Sequence, residues 1–84
     1  MKNLNDKRIY TYILDQINQT PLLYTKVTNT QIANHLNISV FTVRDKIIKM
    51  RNKGYLNCYL DYLDENNTYV QRKITKGDID PSMS

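Results

Sequence analysis

Tryptophan is absent from this 84-residue chain, and cysteine, proline and glycine are scarce at one, two and two residues. The lone Cys58 cannot close an internal disulfide and suits a reducing compartment, so a cytoplasmic location is expected. No apolar run approaches the ~18 residues of a membrane span. The polar start MKNLNDKRIY has no signal-peptide core, so no membrane partner is expected. Repeats and low-complexity linkers are also missing, and the length leaves room for one domain. Such a chain buries only about 60–65% of the surface that its unfolded form exposes, too little for a deep cleft between domains.

Residues that carry chemistry are equally sparse. His35 is the only histidine, with no cysteine or carboxylate at a ligand spacing, and it reads as structural or solvated. Cys58 lies in an apolar strand pattern and reads as core. Asp61, Asp64 and Glu65 lack the glycine-containing spacing of a calcium loop. There is no glycine-rich phosphate loop and no paired acid and base. These absences give the expectation of a non-enzyme with no cofactor and no metal.

What is present is a clear succession of elements. Asn5 or Asp6 can cap a first helix, with Ile9, Tyr12, Ile13, Gln16 and Ile17 as its apolar stripe and Thr20-Pro21 as its end. Leu22 to Val27 reads as a brief strand. Thr28-Asn29-Thr30-Gln31 is a capping-box pattern, opening a second helix with Ile32, Ala33 and Leu36 as its apolar face. Asn37 sits where the chain must turn, Ile38 plugs the turn, and Ser39 caps a third helix. Val43, Ile47 and Met50 form the buried stripe of that helix, and Gly54 closes it. From Tyr55 the period becomes two: Leu56, Cys58 and Leu60 inward, Asn57, Tyr59 and Asp61 outward. A turn at 64–67 and a return strand from Tyr69 to Ile74 complete a β-hairpin, and residues 77–84 read as a frayed tail.

The fold class expected is therefore α+β, in the order helix, short strand, helix, helix, β-hairpin, over residues 1–76. Residues Thr28 to Leu56 carry the turn Asn37-Ile38-Ser39, Thr42-Val43-Arg44 at the start of the third helix, and Gly54 at its close. This pattern resembles bacterial winged helix-turn-helix DNA-binding domains. It is most similar to the GntR-like domain and to winged-helix segments of plasmid and phage replication proteins. The resemblance implies that the third helix reads duplex DNA. Two positions depart from it. Asn37 stands where the family usually has glycine, and Val40-Phe41 follows Ser39 where GntR-like domains often have arginine, which removes one contact. No effector domain and no helix after the wing follow within the 84 residues.

Charge supports an anionic partner. The chain has 12 Lys+Arg against 8 Asp+Glu, a formal net charge of +4, and a pI near 9.3. Residues 1–53 carry +6 and residues 54–84 carry −2, while Ser39–Lys53 alone holds five basic residues and one acidic. Basic residues near a helix C-terminus also serve the helix dipole, so a solvated face is the plainer alternative. With Val43, Ile47 and Met50 inward, Phe41, Asp45, Ile48, Lys49 and Asn52 point outward. Arg44, Lys46, Lys49 and Arg51 are the candidate phosphate or base contacts, Thr42 a backbone contact, and Phe41 and Asn52 candidates for base edges. The acidic hairpin tip would be repelled by phosphate, so wing contacts are expected from Arg72 and Lys73.

The expected function is a small DNA-binding protein acting as a transcriptional regulator or replication accessory factor. Asn, Lys, Ile and Tyr make up 34 of 84 residues, and their AT-rich codons fit an AT-rich host or mobile element. Two alternatives stay open: single-stranded DNA stacked on tyrosines and Phe41, and a protein-interaction adaptor using Phe41 and Ile48. A protein partner or homodimer is compatible with either; a dimer on duplex DNA would need half-sites about one helical turn apart.

Overall fold

The computed structural model describes the backbone of residues 4–62 and 70–83. It is an α+β domain of three helices and a three-stranded antiparallel sheet: α1 Leu4–Asn18, β1 Tyr24–Thr25, α2 Asn29–Leu36, α3 Val40–Asn52, β2 Leu56–Tyr62 and β3 Val70–Lys76, followed by a 3-10 turn at Pro81–Met83. The hairpin turn expected at 64–67, with its acidic tip, and Tyr69 lie outside the described residues.

Helix α1 begins at Leu4, so Asn5 and Asp6 sit in its first turn and neither precedes it as a cap. Ile9, Ile13 and Ile17 are buried at the expected spacing, and Tyr10 joins them. The segment after α1 is less regular than its composition suggests. Leu23 takes a left-handed backbone (φ 65°), which confines the strand expected over Leu22–Val27 to two residues. The Thr25 hydroxyl then accepts from the Val27 N–H at 3.2 Å and turns the chain toward α2.

The junction of α2 and α3 follows the sequence closely. The Gln31 N–H donates to the Thr28 hydroxyl at 3.0 Å, and the Thr28 N–H donates to Gln31 Oε1 at 2.8 Å, closing the capping box. Asn37 is left-handed (φ 57°, ψ 49°), and the Ile38 N–H reaches back to the Ala33 carbonyl at 3.0 Å. Ser39 accepts from the Phe41 N–H at 3.1 Å and starts α3. Gly54 ends α3 with φ +83°, and a Cβ there would stand 3.0 Å from the Ile79 side chain.

Strand β3 is central, in the order β1-β3-β2. Thr25, Leu56 and Ile74 are buried on one face, α1 and α3 lie against the sheet, and α2 packs on both helices. Cys58 packs against this core, but Leu60, expected inward, is 65% exposed. Its alternation is right, since Leu60 pairs with Arg72 on the face that holds Cys58 and Ile74. Residues 77–83, expected as a frayed tail, carry specific contacts. Gly77 N–H donates to the Tyr55 carbonyl at 2.8 Å, Ile79 N–H donates to Gly54 at 3.1 Å, and Pro81 is buried. Gly77 runs so close to Gly54 that a Cβ there would overlap the Gly54 carbonyl oxygen.

Candidate nucleic-acid interface

Helix α3 is held by one side and presents the other. Val43, Ile47 and Met50 are buried at +4 and +3 spacing, fixing its rotation on the core. Most of the remaining residues then face solvent. Phe41 is 65% exposed and Ile48 40%, and Arg44, Asp45, Lys49, Arg51 and Asn52 are exposed beside them. Thr42 is half-buried. Thr42, Asp45, Ile48 and Lys49 line a shallow hollow of about 450 Å³, and the partly buried Lys46 closes its edge.

The exposed side chains are partly organised. The Arg44 guanidinium stands 5.4 Å from the centre of the Phe41 ring, and its Nε and Nη2 both reach Asp45 Oδ1 at 3.3 Å. Both partners are more than half exposed, so this pair holds the arginine only weakly. Arg51 Nη2 donates to Asn52 Oδ1 at 3.4 Å, a long contact. Lys49 pairs with no group among the described residues.

Two residues expected at the interface are used inside the fold. Lys46 Nζ lies 3.1 Å from Asp6 Oδ1 with both side chains about four-fifths buried, tying α3 to α1. Arg72 donates from Nη1 to Asn29 Oδ1 at 2.6 Å and from Nη2 to the Val27 carbonyl at 2.8 Å, clamping β3 to the start of α2. Burial lowers its pKa, but a guanidinium keeps its proton at any physiological pH. Lys73 faces the other way, 4.9 Å from the centre of the Tyr24 ring. Neighbours on a strand point to opposite faces, so Arg72 and Lys73 cannot share one contact surface. The structure thus gathers Phe41, Arg44, Asp45, Ile48, Lys49, Arg51 and Asn52 on one exposed surface and leaves Lys46, Arg72 and Lys73 out of it.

Some contacts elsewhere in the domain had no sequence signal. Arg8 Nη2 donates to the Leu36 carbonyl at 2.7 Å, closing the end of α2 from a residue 28 positions away. Tyr12 and His35 stack with ring centroids 4.4 Å apart. Burial pushes the Cys58 thiol up, while Arg72 and then Arg51 oppose the shift, which makes it a weak nucleophile at neutral pH. Among the described residues no group of three His, Cys, Asp or Glu side chains could hold a metal ion, and no helix is long and apolar enough to cross a membrane. No protein-family model matches the chain, and no curated protein shows significant similarity to it.

Proposed function

We propose that this chain is a winged helix-turn-helix domain that binds duplex DNA with α3 in the major groove, as a regulator or replication accessory factor of a mobile element. The observation that carries the reading is the outer surface of α3. Arg44, Lys49 and Arg51 stand exposed beside Phe41, Ile48 and Asn52, on a helix whose opposite face is locked into the core. A helix of this kind fits the major groove, where Arg and Asn hydrogen-bond base edges and apolar side chains meet thymine methyl groups.

On this reading Lys49 and Arg51 contact phosphate, Arg44 exchanges Asp45 for a phosphate or guanine edge, and Asn52 and Phe41 approach the bases. The short turn from Asn37 to Ser39 sets α3 against α2 as the reading helix, and the β2–β3 hairpin is the wing. The two chain halves, +6 over residues 1–53 and −2 over residues 54–84, orient the helical side toward a polyanion.

Titration of duplex DNA at two salt concentrations tests this. Affinity should fall steeply with salt, and replacing Arg44 and Lys49 together by Ala should flatten the log–log slope by about 2. Duplex binding that ignores salt, or a double variant that binds as the parent does, would sink it. A protein-contact role has one observation in its favour, the exposed apolar trio Val40, Phe41 and Ile48. If Phe41→Asp leaves duplex affinity intact yet abolishes capture of a host protein, that role takes precedence.

A further inference from the structure

The outer face of the sheet carries a second arrangement, on the side away from the helices. Backbone pairing sets Tyr59 opposite Lys73 and Tyr24 opposite Thr75, so these four residues share one face across three strands. Lys73 Nζ lies 4.9 Å and Lys26 Nζ 5.9 Å from the centre of the Tyr24 ring, so one tyrosine gathers two ammonium groups. Tyr59, two strand spacings across the sheet from Tyr24 and two residues along it, or roughly 12 Å away, is 54% exposed although it lies within a regular strand. Nothing on this face belongs to the surface of α3 described above.

We propose that this face binds unpaired nucleic-acid bases, with Tyr59 as the stacking platform and Lys26 and Lys73 as the phosphate contacts. The chemistry is complementary on both counts. An exposed aromatic ring on a rigid strand stacks any base, and clustered cations beside it match the phosphates of the same strand. A duplex offers no base face to such a ring, so the expected ligand is single-stranded. The proposal is independent of the reading of α3 and stands or falls separately.

Fluorescence anisotropy with the full chain tests it, using thymidine, uridine and abasic oligomers about 12 nucleotides long, within the site sizes of single-strand binders. Both base-bearing strands should bind, and the stronger of the two identifies DNA or RNA as the natural ligand. The abasic strand should bind at least about five-fold more weakly, and Tyr59→Ala should weaken the base-bearing strands by roughly 5- to 150-fold while Tyr59→Phe retains affinity. Lys26→Ala should reduce the salt slope by about 0.7. The α3 double variant, Arg44→Ala with Lys49→Ala, should leave single-strand affinity within about two-fold of the parent. Equal binding of abasic and base-bearing strands, or a folded Tyr59→Ala protein with parental affinity, overturns the proposal. So does a loss in the α3 double variant as large as that in Tyr59→Ala.

Discussion

Lys46 and Lys49 show how little a residue's type says about its task. They lie three positions apart on α3, yet one closes an ion pair with Asp6 and the other stands exposed. Lys46→Ala should therefore cost about 1 kcal/mol of stability and leave duplex affinity nearly unchanged, while Lys49→Ala should do the reverse; thermal melts and duplex titrations of both separate the two. Arg72→Ala should be more costly, about 2–3 kcal/mol, because the Val27 carbonyl loses its charged donor. Arg72→Lys should recover only part of this, since an ammonium cannot reproduce the two-nitrogen fork that spans Val27 and Asn29. Tyr10 gives a pH dependence. It is buried, its hydroxyl finds no hydrogen-bond partner among the described residues, and burial, with Asp80 second, raises its pKa above 10.0. A raised folded value means that the neutral form is favoured by folding. Its stabilisation is complete below the phenol's ordinary value and declines as pH rises beyond it. Tyr10→Phe should leave stability at pH 7 within about 0.5 kcal/mol and make the decline above pH 10 shallower in melts recorded across that range.

The elements themselves were legible where a local rule fixes them. Thr28, Gln31, Asn37 and Ser39 act through hydrogen bonds and backbone angles within a few residues, so their pattern is written in consecutive positions. Asn37→Gly should hold or raise the melting temperature, because glycine adopts the left-handed angle without strain, whereas Asn37→Ala should lower stability by about 1 kcal/mol. Gly54→Ala should cost at least as much, since it meets both a positive φ and the Ile79 side chain. What could not be read is set by distant partners. Val27 and Asn29 take Arg72 from 45 and 43 positions away, and nothing near Arg72 in sequence announces it. Leu60 fits the strand alternation yet is left exposed, and Leu23 breaks β1 with a backbone angle that leucine rarely adopts. The candidate surface on α3 was legible because burial of Val43, Ile47 and Met50 fixes the rotation of everything else on that helix. The separation of Arg72 from Lys73 was legible in the same way, because strand alternation puts neighbouring residues on opposite faces of the sheet.

At the scale of the molecule, the fold separates its anchoring charges from its exposed ones. The mild overall charge of +4 resolves into a helical part at +6 and a sheet and tail part at −2. Within the helical part, Lys46 and Arg8 are held by the fold, while Arg44, Lys49 and Arg51 stand exposed on one helix. The tail reinforces this frame: Ile79 packs on Gly54 at the end of α3, and Ser82 donates from its hydroxyl and backbone N–H to Asp80, holding that carboxylate below its usual range. The most direct test of an α3 reading surface is nuclear magnetic resonance mapping of backbone amides during titration with a mixed-sequence DNA duplex at low salt. Shifts concentrated at Phe41, Arg44, Asp45, Ile48, Lys49 and Asn52, with the outer sheet residues Tyr24 and Tyr59 unmoved, are the expected result. Shifts that leave α3 unmoved, or no shifts at duplex concentrations that saturate non-specific binders at roughly 10⁻⁴–10⁻⁶ M, would contradict it.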